Sequence, residues 1–309
     1  MCFSDLYFSF KSLRTASNVF IVNLALADLI MTVIDFPMFF IACFLNDWPF
    51  GYYGCQLYAT LTGLAGLVTI NTLAVIALDR YQAVVRRVNQ LVEIVPRRTV
   101  AVAIGCIWMY SLIWSISPVL GWSRYHLEGV LTSCTFNFLS RDVITRSFIF
   151  SITIGEFVIP ILIIIWAYAN IIFSMVLRRK DLAISNSSDM AVSLRLVRQR
   201  YRLKSEIKTS CIMVGLVCLF VVSWLPYTMV AFVGQYGNKT LITPYVSSIP
   251  GVIAKTSTVS NPLVYAIIHP KFKTKIKSLF NNTKGNHILL NKERKTVSTN
   301  GDKEITVCR

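Results

Sequence analysis

The chain has 309 residues, of which 54% are hydrophobic and only 15% charged, with a mean hydropathy of +0.58. Soluble domains carry about 25% charged residues, so a soluble enzyme or a soluble nucleic-acid-binding domain is excluded in spite of the net charge of +16. The apolar residues form long runs, which marks a polytopic helical membrane protein.

Six complete spans follow one another, at roughly Val19–Phe44, Cys55–Arg80, Val100–Val119, Phe148–Leu177, Ile207–Val233 and Pro244–Ile268. Residues 1–10 (MCFSDLYFSF) are apolar but about half the length needed to span. They lack the basic start and cleavage site of a signal peptide. An apolar stub before a basic loop reads as the cytoplasmic end of a first helix. The basic residues gather in alternate loops: Lys11 and Arg14, Arg86 to Arg98, Arg178 through Lys208, and Lys271 to Lys277. The loops near Asn46, Ser123 and Asn238 are poor in Lys and Arg. That alternation orients the bundle, basic side inward, and adds contact with anionic lipid. Pro270 to Phe280 is amphipathic and basic and suits a short helix on the inner membrane face. Residues 281–309 are polar and expected to be disordered.

Of eight cysteines, Cys55 and Cys134 fall in outer segments, where an oxidising compartment favours a disulfide. Cys43, Cys106, Cys211 and Cys218 lie in or near apolar runs and read as small packing residues.

Lys255 sits inside a run with no other charge, Pro244 to Ile268. An ammonium at that depth costs about 2.5–3.5 kcal/mol on insertion scales, and such residues face a bundle interior and serve a function. Lysine is also the side chain that forms Schiff bases with aldehydes once desolvated.

Five motifs occur in order. They are LALADL with Asp28, Cys55 with Asp79-Arg80-Tyr81 at opposite ends of one span, the outer loop GWSRYHLEGVLTSC, Trp224-Leu225-Pro226-Tyr227, and Lys255 with Asn261-Pro262-Leu263-Val264-Tyr265. Over residues 11–280 the chain resembles a rhodopsin-family receptor and, within that family, an opsin. The outer loop, Ser223 before Trp224, and His269-Pro270-Lys271-Phe272 most resemble the rhabdomeric, Gq-coupled invertebrate opsins and the melanopsins.

The resemblance implies an all-α seven-transmembrane bundle, its first helix largely missing from this chain. A short amphipathic helix follows the last span, and the whole lies in a photoreceptor plasma membrane. It implies 11-cis-retinal bound covalently as a protonated Schiff base on Lys255, light activation without enzymatic turnover, and a heterotrimeric G protein of the Gq class as partner. Arrestin, a receptor kinase and membrane lipid are further implied partners, and nucleic acid is not one. The alternative is a retinal photoisomerase that uses the same lysine without signalling.

A protonated Schiff base in an apolar pocket needs a counterion. Tyr58 stands where vertebrate visual opsins place a glutamate, so by resemblance the counterion is Glu128, six residues before Cys134. Asp35, seven residues after Asp28 on nearly the same helix face, is not a usual family residue. It either shares the counterion role or is a protonated or water-bound acid near the outer boundary. Glu156, one turn before Pro160, either tunes the absorption wavelength from the far end of the pocket as a neutral carboxyl or bonds a neighbouring helix. The implied pocket walls include Tyr58, Thr62, Gly66, Phe157, Trp224, Tyr227 and Ala254. Trp224, beside the helix-weakening Pro226, is placed to report the chromophore's shape. At the inner face the resemblance implies that Arg80, beside Asp79, also reaches Glu206 and so holds the dark state closed, the alternative being plain surface ion pairing for Glu206. By resemblance Tyr168 and Tyr265 steady the open state, Asp28 and Asn261 belong to a buried polar network, and Tyr81 and Pro262 are further residues of the activation switch.

Overall fold

The computed structural model describes residues 16–86, 96–184 and 190–268, with side chains described mainly over 19–85, 98–177 and 210–258. Residues 1–262 form one compact unit and 263–309 a second. The expectations for residues 1–10, Pro270 to Phe280 and the tail fall outside the described residues. So do those for the side chains of Glu206, Asn261, Pro262 and Tyr265.

Helix α1 covers Ala16–Leu45 and α2 covers Gly51–Tyr81, prolonged inward by a π-helical turn at Gln82–Arg86. Helix α3, Arg97–Ile116, starts directly after Pro96, whose extended backbone and missing N–H suit a helix entrance. Helix α4, Val143–Thr153, is capped by Asp142, whose carboxylate accepts the Thr145 N–H at 2.9 Å. It runs through a π-helical turn at Ile154–Val158 into α5, Ile159–Ile184. Helix α6 spans Met190–Tyr236 with Pro226 inside it, and α7 spans Pro244–Ile268.

The expected spans coincide with these rods, with two differences. Helices α5 and α6 continue to Ile184 and back to Met190, through the basic stretch read above as a loop. Lys, Arg, Leu and Gln are good helix formers, so the composition of the stretch gives the helices no reason to stop at the membrane boundary. The second difference is a β-hairpin in the outer loop, β1 (Tyr125–Glu128) against β2 (Ser133–Phe136), which apolar-run reasoning could not register.

The bundle is inside-out by soluble standards. Phe40, Phe44, Leu162, Ile165, Phe173 and Val222 point outward, while Asn23, Asp28, Asp35, Thr72 and Glu156 are buried. That distribution fits hydrocarbon outside and polar groups satisfied within. Five described segments are long and apolar enough to cross a membrane. The free cysteines Cys43, Cys106, Cys211 and Cys218 are all exposed, which corrects their reading as interior packing residues. A run that is apolar all round gives no signal of which face turns inward.

Helix α2 is the central rod, packing against α1, α3, α5 and both hairpin strands. Asn23 on α1 donates to the Thr72 hydroxyl of α2 at 2.8 Å, and Trp108 Nε1 of α3 donates to Asn23 Oδ1 at 2.8 Å, so one amide joins three helices. The Cys55–Cys134 disulfide ties the outer end of α2 to β2, holding the hairpin over the bundle mouth.

Candidate functional site

Lys255 reaches from α7 toward α2 and α1. Its Nζ donates to the Tyr58 hydroxyl at 2.7 Å and lies 3.2 Å from Asp35 Oδ1. The Tyr58 hydroxyl in turn donates to the same carboxylate oxygen. The lysine side chain is 16% exposed and the aspartate 3%. Tyr58 is fully buried, wedged by Trp48 at a ring separation of 5.2 Å, so the phenol has a fixed orientation. A buried charge pair of this kind offsets its desolvation only when hydrogen bonds satisfy its remaining capacity. The phenol supplies one.

Glu128, the residue expected from resemblance to face Lys255, is not its ion-pair partner in this arrangement. It closes β1 opposite Ser133, whose hydroxyl donates to Oε2 at 3.2 Å. Its Oε1 has no hydrogen-bond partner among the described residues. The carboxyl abuts Gly251 of α7, where a Cβ would lie 3.2 Å from Oε2. Burial pushes its pKa up to about 7, against the lowering influence of Lys255 and of the Ser133 and Ser247 hydroxyls. Next to it, Gly129 has φ +47° and packs so closely on Ser248 and the Pro244 carbonyl that a side chain has no room. The Val130 N–H donates to Ser248 Oγ at 3.1 Å, so the hairpin tip is pinned to the start of α7.

Two adjoining cavities lie beneath the hairpin. The first, about 690 Å³, is bounded by Lys255, Ala254, Thr62, Glu128, Trp224 and Tyr227. The second, about 570 Å³, is bounded by Gly66, Glu156, Phe157, Trp224 and Tyr227. Leu67, Phe136 and Ile152 also line both. Asp35 and Tyr58 line neither cavity and stand behind the lysine. The walls are apolar with a few converging polar groups, the make-up of small-molecule sites.

Trp224 separates the two spaces. Its indole rests on Gly66, where a Cβ would meet Cη2 at 2.9 Å, and its Nε1 donates to Ser257 Oγ at 3.1 Å, two residues along α7 from Lys255. Tyr227 shares a hydrogen bond with Thr135 of β2 and stacks edge-on with Phe136, Phe138 and Trp224. Sequence reading missed Phe136, Trp114 and Phe148. The signal for Phe136 was present, because it lies two residues from Cys134 and therefore on the same strand face.

Glu156 sits in the π-helical turn before Pro160. Proline has no N–H and crowds the carbonyl four residues back, here that of Glu156 itself, so the ladder shifts and Ile159 N–H bonds Ile154 O. The carboxyl is 3% exposed and accepts from Asn71 Nδ2 of α2 at 2.6 Å. Asn71 also donates to Ser111 Oγ of α3 at 3.2 Å. The interhelical hydrogen bond envisaged for Glu156 is therefore present, and the residue also faces the second cavity.

At the inner end Arg80 Nη2 and Asp79 Oδ2 are 2.5 Å apart. Tyr81 packs on Trp166 at 4.7 Å. Tyr168 is buried with its hydroxyl unpartnered among the described residues, and Asp28 is buried on α1.

The family description "7 transmembrane receptor (rhodopsin family)" matches residues 6–265. The rhodopsin of Enteroctopus dofleini is 39% identical over 271 residues, 87% of this chain and 59% of the relative. The melanopsin of Homo sapiens is 40% identical over 266 residues, 86% of this chain and 55% of the relative. The GQ-coupled rhodopsin of Mizuhopecten yessoensis is 39% identical over 264 residues, 85% of this chain and 52% of the relative. The crystal structure of squid rhodopsin superposes with a TM-score of 0.83 at 36% identity, covering 90% of this chain and 79% of that one. The chain spans about three-fifths of the length of the cephalopod rhodopsins it matches.

Proposed function

Because the chain belongs to the rhodopsin family of seven-transmembrane receptors, and within it to the opsins, we propose that it is a light-activated receptor. It carries retinal on Lys255 and signals through a heterotrimeric G protein of the Gq class. The observation that carries this reading is the Lys255 amine, opening onto an apolar cavity and backed by Asp35 at 3.2 Å. The residues fit the group. An amine faces a cavity walled mainly by apolar and aromatic side chains, and an acid stands at hand to balance the positive charge.

When bound, retinal supplies a polyene that absorbs visible light while its Schiff-base nitrogen is protonated. The chain does the rest. Asp35 holds the positive charge at the Lys255 nitrogen, and Tyr58 fixes the carboxylate by donating to it. Glu128 is a second acid on the hairpin, close enough to feel Lys255 and free at Oε1. Trp224, pressed on Gly66 and bonded to Ser257, is the side chain through which a change of shape in the cavity bears on α6 at Pro226. The Asp79–Arg80 pair at the inner face supports the signalling half of the proposal, since a partly buried pair worth a few kcal/mol suffices to bias two states. Arrestin and a receptor kinase, acting at the photoreceptor plasma membrane, complete the proposed setting. The GQ-coupled scallop relative favours the Gq class.

The test is light-dependent nucleotide exchange on a Gq-class protein by the receptor given 11-cis-retinal, beside its visible absorbance. Lys255→Ala abolishes both. Intact absorbance without exchange would instead indicate a photoisomerase, and exchange unaffected by Lys255→Ala would defeat the assignment of the lysine.

A further inference from the structure

Helix α6 is gripped at its outer end by the segment that leads from β2 to α4. The Gln235 side chain, 1% exposed, donates its amide to the Phe138 carbonyl at 2.7 Å and to the Ser140 carbonyl at 2.6 Å. Arg141 bonds in the opposite direction: its Nε donates to the Gly234 carbonyl at 3.1 Å and its Nη2 to the Gly237 carbonyl. Lys239, just past the helix, donates to the Leu139 carbonyl. Gly234 lies so close to the segment that a Cβ would stand 2.7 Å from the Phe138 carbonyl oxygen. The last carbonyls of a helix lack partners within it, and a cation beside them is favoured by the helix dipole, so Arg141 meets a demand that α6 itself creates.

The same loop is anchored elsewhere. Cys134 is bonded to Cys55 of α2, and the Val130 N–H to Ser248 of α7. Tyr227, the first residue after Pro226, shares a hydrogen bond with Thr135 of β2. Residues 227–237 are therefore fastened to the loop at both ends, while Trp224 lies on the other side of Pro226. The proline has no N–H and weakens the helix ladder at that point. Releasing the outer end would break the five hydrogen bonds of Gln235, Arg141 and Lys239 together and leave the buried Gln235 amide unpaired. That penalty exceeds the gap between two conformations that interconvert. Bending at Pro226 breaks none of these bonds. We propose that residues 138–141 form a clamp that stays closed during light activation. The outer arm of α6, residues 227–236, then remains fixed to the hairpin and α2, and only the arm on the inner side of Pro226 moves. This rests on the reading that the chain is a light-activated receptor with retinal on Lys255.

The experiment measures two spin-label distances in the retinal-bound receptor, in the dark and after illumination. Cysteines that are neither labelled nor in the disulfide are replaced by serine. The outer pair joins Cys43 on α1 to Met229→Cys on the outer arm, and the inner pair joins Cys106 on α3 to Cys211 on the inner arm, all four positions being exposed. Light shifts the inner distance and leaves the outer one at its dark value. In the Arg141→Ala, Gln235→Leu double variant the outer distance shifts with light as well. The absorption maximum of that variant is unchanged, because neither residue lines a cavity. A light-driven shift of the outer pair in the clamped receptor would overturn the inference, as would an inner pair that stays still in a pigment that photoconverts. An outer pair still fixed in the double variant would overturn the assignment of Arg141 and Gln235. The clamped receptor decides alone if the double variant yields no pigment. Failure of the clamped receptor itself to form pigment would overturn the retinal reading, and with it the inference.

Discussion

Lys255 and Asp35 face each other at 3.2 Å across the α7–α1 seam, with the Tyr58 hydroxyl bonded to both. The aspartate comes from α1, not from the hairpin that carries the acid expected by resemblance, yet it alone among the described carboxylates forms a salt bridge with the lysine. Glu128 approaches the same lysine from the hairpin above, without contact at ion-pair distance. Two acids on different elements therefore address one cation, and they do so unequally.

Glu128 gives a pH dependence of known sign. Its folded pKa of about 7 lies above the ordinary 4.5, so the folded protein binds more protons than the unfolded chain between those values. Stability attributable to this group is fully present below about pH 4.5 and is lost as pH rises through 7, by up to about 3 kcal/mol. Thermal melts of the receptor and of Glu128→Gln across pH 4 to 8 check this. The difference in midpoint shifts in favour of the variant as pH rises and levels off above about 7.

Gly66→Ala places a methyl 2.9 Å from Cη2 of Trp224. Overpacking of this kind costs about 1–3 kcal/mol. Trp224 then tilts away from α2, straining its bond to Ser257. The variant is expected to lose pigment faster on heating and to show a displaced absorption maximum, both read by visible spectroscopy.

The Cys55–Cys134 bridge closes a loop with a sequence separation of 79 and is what holds the hairpin carrying Glu128 over the cavities. Its removal by Cys134→Ser is expected to cost about 2–5 kcal/mol. Surface-expression assays should show most of the variant retained inside the cell, with little pigment formed.

The spans, the lysine and the disulfide were legible because each rests on a one-dimensional signal: run length, an isolated charge, or a cysteine on the oxidising side. Most of the expected pocket residues also line the two cavities. What the chain order could not disclose was which acid meets the lysine. Asp35 and Lys255 are 220 positions apart, and their meeting depends on how α1, α2 and α7 rotate about their axes. An all-apolar run leaves that rotation undetermined, as the outward-facing Cys43 and Cys211 also demonstrate. The link from Glu156 to Asn71 was hidden for the same reason, although the shift of the ladder there follows from Pro160 alone.

The ion pair itself is tested most directly by titrating the visible absorbance of the retinal-bound receptor beside Asp35→Asn and Glu128→Gln. Asp35→Asn should lose its visible band at a pH lower by roughly two units, the effect of removing an opposite charge within about 4 Å, while Glu128→Gln shifts it by less than about one. A visible band untouched in Asp35→Asn and lost in Glu128→Gln would contradict the assignment of Asp35 as the partner of Lys255.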